Sequence, residues 1–230
     1  MAAKNNPPGP SALISLFPLP ATVFYPGTLL PLHIFEPRYR QMMSDALEGD
    51  RRIGMVLLKP GWEANYHGAP AIAGVGCAGE IGDHIRFDDG KYNMILKGRS
   101  RFRIIQETAG KPYRQARVEL LAELNDQDLE PGSNPLQEEL TRHYTQYISL
   151  LPSGIKREKE LDWASFKKLS QVTDQLAFNL DLPVEQKQKF LEEQDVLRRV
   201  DYLQSEIKMK IDLVRFSKTR TSRGFDVSLN

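Results

Sequence analysis

The stretch LFPLPATVFYPGTLLPLHIFEPRYRQMMSDAL, residues 16–47, decides how the first half of this chain folds. Its turn pair Pro26-Gly27 ends one extended segment, and a second extended segment follows from Thr28 to Ile34. Pro31 lies inside the second segment and has no backbone N–H to donate. A central strand does not tolerate that loss, so the sequence predicts an edge strand or a bulged strand here.

The neighbouring residues predict one helix and two further strands. Pro37 fits the first turn of a helix, where a missing N–H costs nothing, and Gly49 marks the end of that helix. The nearly continuous apolar run Ile53–Leu58 predicts a buried strand. Leu13–Phe17, earlier in the chain, is interpreted as a short strand that Pro18 stops. The first half of the chain is therefore predicted to be mostly β.

A β-hairpin is predicted over residues 85–96. Gly90 supplies the positive φ that a tight turn between two strands needs. Gly98 indicates a bulge in the returning strand, and Phe102 beyond it alternates with arginines. Val118–Leu121 predicts the last strand.

Nucleotide-binding motifs are either missing from this sequence or in the wrong context. The run Gly74–Gly79 matches GxGxxG, but a dinucleotide site needs that motif between a strand and a helix, and here a hairpin follows. We interpret the run as a glycine-rich strand with close backbone packing, and Cys77 as a small buried apolar residue. The pattern GxxxxGK[ST] does not occur, which excludes a P-loop ATPase within these residues.

The pattern changes from β to helical near residue 125, which predicts two domains. Residues 1–10 are rich in Asn and Pro and are expected to be disordered, and residues 11–124 form the predicted β domain. The acidic segment 125–135 is the predicted linker. Residues 136–217 carry apolar side chains at helical spacing and predict a helical bundle, and a polar tail follows at 218–230.

Three features predict the helices of this second half. Asp162 is interpreted as the N-cap of a helix that carries the apolar stripe Trp163–Leu180. Pro183 begins a short helix. The stripe Val196–Val214 has a spacing typical of bundles and coiled coils, so self-association into a homo-oligomer through this last helix is a hypothesis.

Composition is that of an ordinary globular protein. The formal net charge is +1, so no global attraction to nucleic acid or to an anionic membrane is expected. The chain has one cysteine, which excludes an internal disulfide, and no window approaches the ~20 apolar residues of a membrane span. We therefore expect a cytoplasmic protein. The four histidines have no metal-ligand spacing, so we predict neither a metal nor a cofactor.

Two sets of residues are candidates for binding a partner. Aromatic side chains on a predicted loop can anchor a protein or pack over the end of the barrel, and these are Trp62, Tyr66 and His67. A basic stretch interleaved with aromatic residues can contact phosphate or form a solvated strand face, and its arginines are Arg99, Arg101, Arg103, Arg114 and Arg117. No nucleophile–base pair stands out, so no catalytic residue is predicted.

Two groups of residues in this sequence form a signature by their order and spacing. The first comprises residues 17–20, 24–27 and 30–39, and the second comprises residues 89–93 and 97–104. Together they resemble the N-terminal, substrate-binding domain of Lon proteases, and the match covers roughly residues 13–216. The resemblance implies an architectural role for the signature residues Pro26, Gly27, Glu36, Pro37, Arg38, Tyr39, Gly90, Gly98 and Phe102.

The resemblance also implies a fold and a function. The fold is α+β, with an N-terminal PUA-like β pseudo-barrel that includes one or two short helices, followed by a C-terminal helical bundle. The ATPase and Ser–Lys protease domains of full-length Lon have no counterpart in the sequence, so we expect a stand-alone, non-catalytic protein-binding module. Its expected partners are proteins or unfolded polypeptides, a protease or chaperone among them. A PUA-like RNA-binding module is the alternative, and an unrecognised hydrolase is a third hypothesis.

Overall fold

The computed structural model describes residues 11–65, 68–129, 134–158 and 160–222. The predicted disordered segment 1–10, part of the predicted linker (130–133) and residues 223–230 of the predicted tail lie outside the described residues. The helices and strands are β1 (Ser11–Leu19), β2 (Leu29–Ile34), α1 (Pro37–Glu48), β3 (Arg52–Leu57), β4 (Val75–Arg86), β5 (Tyr92–Thr108), β6 (Arg114–Leu120), α2 (Pro135–Ser149), α3 (Ser153–Glu158), α4 (Leu169–Asn179), α5 (Val184–Glu192) and α6 (Val196–Ser222).

The chain divides into two compact units. The barrel unit comprises the residues up to Leu124 together with Leu180–Gln194, and the helical unit comprises Asn125–Asn179 and the residues from Asp195 onward. The six strands that the structure describes all lie in the barrel unit. The first division falls where the sequence changes from β to helical, but the segment 180–194, which the sequence assigned to the bundle, groups with the strands.

Five strands close into a ring in the barrel unit. Their order is β5-β4-β3-β1-β6, and β6 pairs again with β5. Every pair in the ring is antiparallel except β1 with β3. β5 is long enough to pair with β2 along its first half and with β6 along its second. Phe102 is fully buried in a core cluster with Leu16 and Val118. This arrangement confirms the predicted β barrel with α+β organisation.

The two prolines in strands behave differently from each other. Pro31 lies in β2 at the edge of the sheet, as predicted. The Gly98 N–H donates to the Thr28 carbonyl at 2.9 Å. Along an antiparallel ladder, residues that hydrogen-bond to the partner strand alternate with residues that do not. Pro31 is three residues from Thr28, so its backbone nitrogen points away from β5. Pro18 does not stop β1, which continues past it. β6 pairs with β1 only as far as Leu16, so no β6 carbonyl is deprived of a donor at Pro18.

The glycine-rich run lies in and beside β4, which confirms that it is a strand and not a nucleotide-binding turn. A Cβ on Gly76 would overlap the Met55 carbonyl oxygen, so only glycine lets these strands approach so closely. The Cys77 side chain is fully buried, as predicted. Gly90 has φ +81° in the turn between β4 and β5, and this confirms the predicted hairpin.

Helix α1 has the predicted ends. Pro37 occupies its first turn and Gly49 follows its last residue. The preceding Glu36 forms an ion pair with Arg38 at 3.0 Å, which ties the entry of the helix to its first turn. Tyr39 is buried and its ring packs edge-on against Phe17, with centroids 4.5 Å apart. The helix is thus anchored to β1 through its first turn.

Helix α5 begins after Pro183, as predicted, but packs on the strands of the barrel unit. Its hydrogen bonds to the rest of the barrel unit join Tyr25 Oη, in the segment between β1 and β2, to Lys187 O (2.7 Å), Gln188 Nε2 to Val75 O (3.1 Å) and Arg101 Nε to Leu191 O (3.0 Å). Helical periodicity shows that a face is buried but not what covers it, and this is why the sequence placed α5 with the other helices.

The helical unit differs from the prediction near Asp162. Asp162 caps a short 3-10 turn, Trp163–Ser165, and not the long helix that the stripe indicated. Helix α4 begins only at Leu169, whose N–H donates to the Gln127 carbonyl. Asp126 Oδ1 accepts from the Ser170 N–H at 2.9 Å and caps the first turn of α4 in place of Asp162. Side-chain and backbone acceptors distant in sequence therefore split the predicted helix in two.

The apolar stripe of α6 is the core of the helical unit. Val196, Val200, Leu203, Ile207 and Ile211 are all buried, and α6 packs against α2 and α4. The Arg199 guanidinium, also buried, donates to Asp174 of α4 at 2.6 Å. Only Val214 of the stripe is half-buried. The burial leaves little of this stripe for the self-association that its spacing suggested.

Candidate polypeptide-binding surface

The outer face of β2, β5 and β4 carries apolar side chains that the barrel core does not use. In β2 the odd-numbered residues Leu29, Pro31 and His33 are exposed, because alternate residues of a strand point to opposite faces. Across the ladders, Pro31 is opposite Ile95, and Asn93 is opposite both His33 and Ile85. Three strands thus present one continuous outer surface.

This surface is concave. A groove of about 520 Å³ lies over the ladder pairs, and its lining residues are Pro31, Leu32, His33, Asp83, His84, Ile85, Asn93, Met94 and Ile95. A register shift between Ile81 and His84 bends β4 beside the groove. The volume is within the range of small-ligand sites, and most of the lining is apolar.

Aromatic side chains extend the groove at one end. His33 stacks on Phe35 with ring centroids 6.0 Å apart, and its centroid lies 6.4 Å from that of Phe87. Asn93 Oδ1 accepts a 2.7 Å hydrogen bond from His33 Nδ1, which holds the imidazole in place. Phe35, Phe87 and Ile85 are all exposed, and Ile85 is 63% exposed. Large apolar side chains that cluster at the surface mark an interaction site. We call the groove and this aromatic end the β2–β4 groove.

The chemistry of the β2–β4 groove is that of a binding surface. In the parts of the chain that the structure describes, no group of three His, Cys, Asp or Glu side chains is arranged to hold a metal ion. The groove offers apolar area and a few polar atoms, among them the hydrogen-bonded His33–Asn93 pair. Such a surface can bind apolar side chains of an extended or unfolded segment.

Of the three predicted loop candidates, the structure describes Trp62. Trp62 is half-buried on a 3-10 turn, Trp62–Asn65, and does not line the β2–β4 groove. Tyr66 and His67 lie outside the described residues. Their role in binding a protein therefore stays a prediction.

The candidate arginines do not form one basic face. Arg101 is 1% exposed, and its guanidinium donates to the Leu191 carbonyl and to the Glu123 carboxylate inside the barrel unit. Three of the other arginines form ion pairs with glutamates, Arg99 with Glu80 (2.7 Å), Arg103 with Glu119 (3.4 Å) and Arg114 with Glu107 (2.6 Å). Arg117 is exposed. Carboxylates next to most of these arginines reduce the positive charge that the stretch offers to a phosphate.

A polar cluster occupies a second concavity of the barrel unit, of about 300 Å³. Asp45 accepts from Lys111 Nζ at 2.8 Å and from Tyr113 Oη at 2.6 Å. These hydrogen bonds, that from Lys111 above all, lower the pKa of Asp45 to about 2. Burial, and then the Asp45 carboxylate, raise the pKa of Tyr113 to about 12. A carboxylate so acidic is suited to an ion pair and not to general-base work near neutral pH.

The sequence contained part of the signal for the β2–β4 groove. The alternation of β2 places Leu29, Pro31 and His33 on one face, and this is readable from the sequence. Ile85 and Phe87 lie on another strand, and their position beside β2 depends on the β4–β5 and β2–β5 registers. Sequence reasoning therefore missed the groove as a unit.

Solved structures define the class to which this fold belongs. A Lon N-terminal domain protein from Xanthomonas campestris matches with a TM-score of 0.60 at 24% identity, over 84% of this chain and 98% of that chain. The N-terminal domain of a Mycobacterium avium complex Lon protease matches with a TM-score of 0.63 at 14% identity, over 86% of this chain and 98% of that chain. At these identities the likeness shows the fold alone, which is that of Lon N-terminal domains.

Sequence comparison then gives the family. The Lon protease of Dictyoglomus thermophilum is 28% identical over 188 residues, which cover 82% of this chain and 23% of that protein. The Lon protease of Paraburkholderia phytofirmans is 27% identical over 214 residues, 91% of this chain and 26% of that protein. The chain thus spans about a quarter of the length of these curated relatives. The family model of the ATP-dependent protease La (LON) substrate-binding domain matches residues 14–209, and the chain belongs to this family.

The family assignment confirms the resemblance drawn from the two sequence signatures. The match leaves residues 1–13 and 210–230 of this sequence uncovered. Of the helices that the structure describes, not one combines the length and apolar composition that a bilayer span requires.

Proposed function

We propose that this protein is a non-catalytic recognition module that binds polypeptides through the β2–β4 groove. The observation that carries the proposal is the cluster of exposed apolar side chains on the outer face of three strands, around the hydrogen-bonded His33–Asn93 pair. The family, whose description is that of a substrate-binding domain, supports protein substrates as the ligand. In this role the chain would select clients for proteolysis or quality control and leave the chemistry to another polypeptide.

The geometry favours apolar segments without stable structure of their own. A folded protein buries most of its large apolar side chains, whereas an unfolded segment exposes them and can place them in an open groove. Pro31 removes a donor from the open edge of β2, so this edge is a poor template for an added strand. Binding should therefore depend on side-chain burial in the groove and only weakly on backbone pairing.

The test measures binding of a permanently unfolded polypeptide. Fluorescently labelled, reduced and carboxymethylated lactalbumin would be titrated with the protein, and its anisotropy recorded. Ile85→Ser and Phe87→Ser should each weaken binding about tenfold, which corresponds to ~1.4 kcal/mol of lost apolar burial. Ile105→Ser is the matched control, because Ile105 is 59% exposed, close to the exposure of Ile85, and does not line the groove.

Two results would overturn the proposal. Equal affinity of the parent protein and both groove variants would show that the groove is not the binding surface. Tight binding of a labelled single-stranded RNA that Arg117→Ala and Arg103→Ala weaken, with no binding of the unfolded polypeptide, would favour the RNA-binding alternative.

A further inference from the structure

The outer part of β4 and the turn that follows it form an arm that is paired on one side only. β4 pairs with β3 as far as Glu80, so among the strands that the structure describes only β5 borders β4 beyond that residue. Every residue from 82 to 89 is exposed. Ile85 and Phe87, two of the apolar side chains of the β2–β4 groove, belong to this segment. We call residues 82–91 the hairpin arm.

Two arginines outside the arm tie it to the barrel unit, one at each end. At the base of the arm, Arg51 Nη2 donates to the Ile81 carbonyl at 3.1 Å and to the Gly82 carbonyl at 3.2 Å. At the tip, Arg40 Nη1 of α1 donates to the Asp89 carbonyl at 2.7 Å. The groove residues of the arm thus lie between two fixed points.

The turn at the tip leaves the Asp89 carbonyl to Arg40. Within the turn, the Gly90 N–H donates to the Phe87 carbonyl at 2.9 Å, and the Phe87 N–H donates to the Lys91 carbonyl at 2.9 Å. A Cβ on Gly90 would lie 3.0 Å from Arg40 Nη1. The guanidinium therefore packs closely against the turn, and the glycine serves this approach as well as the positive φ.

We propose that Arg40 is a positioning residue of the β2–β4 groove, which holds the hairpin arm so that Phe87 stands beside Phe35. Helix α1 begins two residues after Phe35, so the bond from Arg40 connects the arm to the helix that follows the other phenylalanine. The His33 ring centroid is 6.0 Å from that of Phe35 and 6.4 Å from that of Phe87, which shows how close the three rings are. This inference rests on the proposed function of the groove.

The physical reason is preorganisation of the aromatic end. A segment with exposed backbone and few packed contacts opens more readily than the core of a fold. A polypeptide that binds a loose arm has to order it, and the lost conformational entropy weakens binding. The tie from α1 restricts the arm before the ligand arrives. Arg40 does not line the groove, so it acts on the ligand through Phe87.

The test compares Arg40→Met with a control that removes the same charge beside the same turn. Lys91→Met is that control, because the ion pair of Lys91 with the Asp89 carboxylate, at 2.7 Å, stays within the arm. Arg40→Met should weaken binding of reduced, carboxymethylated lactalbumin about threefold and speed amide exchange of residues 82–91, with an unchanged urea midpoint of the barrel unit. Lys91→Met should leave the affinity unchanged.

Two further variants separate positioning from a general structural role. In a Phe87→Ser background, Arg40→Met should cause no additional loss of affinity, because the side chain that it positions is gone. Arg40→Lys keeps a donor for the Asp89 carbonyl and should recover part of the affinity that Arg40→Met loses.

Three outcomes would overturn the inference. The first is unchanged affinity and unchanged amide exchange in Arg40→Met. The second is an equal loss of affinity in Lys91→Met, or a full additional loss in the Phe87→Ser background. The third is a fall of the urea midpoint in Arg40→Met, which would make its role structural. The proposed function fails by a different result, equal affinity of the parent and both groove variants Ile85→Ser and Phe87→Ser, so the two failures are distinguishable.

Discussion

Replacing Arg101 with methionine is expected to destabilise the barrel unit by about 2–4 kcal/mol. Methionine keeps most of the aliphatic length of the side chain and removes a guanidinium that is 1% exposed. The substitution removes the N–H that donates to the Leu191 carbonyl at 3.0 Å, and it removes the cation that pairs with Glu123. These contacts connect β5 to α5, so the variant tests whether this arginine is a structural anchor or a ligand-binding residue.

The magnitude follows from the burial of each partner. A buried carbonyl that loses its donor costs about 1–3 kcal/mol. Breaking a fully buried ion pair costs ~3–5 kcal/mol, but the Glu123 side chain is 23% exposed and recovers part of its hydration. The added apolar burial of methionine offsets about 1 kcal/mol.

The assay follows the barrel unit by itself. The chain has two tryptophans, and Trp163 lies in the helical unit, so a Trp163→Phe background leaves Trp62 to report urea unfolding of the barrel unit. Hydrogen exchange of residues 184–192 shows whether α5 loosens. The matched control is Arg103→Met on the same strand, where the side chain is 51% exposed and pairs with Glu119 at 3.4 Å. It should cost less than about 0.5 kcal/mol.

Either of two results would show that Arg101 is not a structural anchor. One is an Arg101→Met variant within about 0.5 kcal/mol of the parent, with unchanged exchange in α5. The other is an equal loss in Arg103→Met, because burial would then not decide the cost.

Two further predictions concern charges at other places in the fold. Because the pKa of Asp45 is lowered from 3.8 to about 2, its carboxylate stabilises the folded state above pH 4, and this stability is lost as the pH falls toward 2. The shift sets a ceiling of ~2.5 kcal/mol, which solvent at a 22% exposed side chain reduces to about 1 kcal/mol. Asp45→Asn should cost that amount in urea unfolding at neutral pH and little near pH 2, and a loss that does not vary with pH would contradict this. In the helical unit, Arg199→Met leaves Asp174 buried without its cation and should cost about 3–5 kcal/mol, whereas Met at the exposed neighbour Arg198 should cost less than about 0.5 kcal/mol. Equal midpoints of thermal unfolding for these two variants would contradict the prediction that burial decides the cost.

Local features of the fold were predictable because their physical cause is local. Proline at the first turn of α1 and positive φ at Gly90 depend on one residue and its neighbours. Pro31 on an edge strand follows from a missing donor. The expected stop at Pro18 was wrong because the cost of a missing N–H depends on whether a neighbouring strand needs it, and β6 has already ended there.

The candidate site was predictable only in fragments. The alternation of β2 indicates which of its side chains are exposed, but Ile85 joins them through pairing across two ladders. The aromatic loop and the arginine stretch were predicted as binding candidates because residue types within one segment can be read without knowing how the strands pair. Shape is a property of several strands at once, so no window of sequence contains the groove.

The sequence by itself determined the β-then-α order, the turns and helix ends, and the family to which the chain belongs. Only the tertiary structure decided which of several similar residues is buried. Arg101 and Arg103 are two positions apart on one strand and have the same chemistry, yet one is enclosed and the other is in solvent. The difference arises from α5, whose Leu191 lies 90 residues from Arg101 along the chain. Conformational preference belongs to a residue and its neighbours, whereas burial belongs to whatever the fold brings against it.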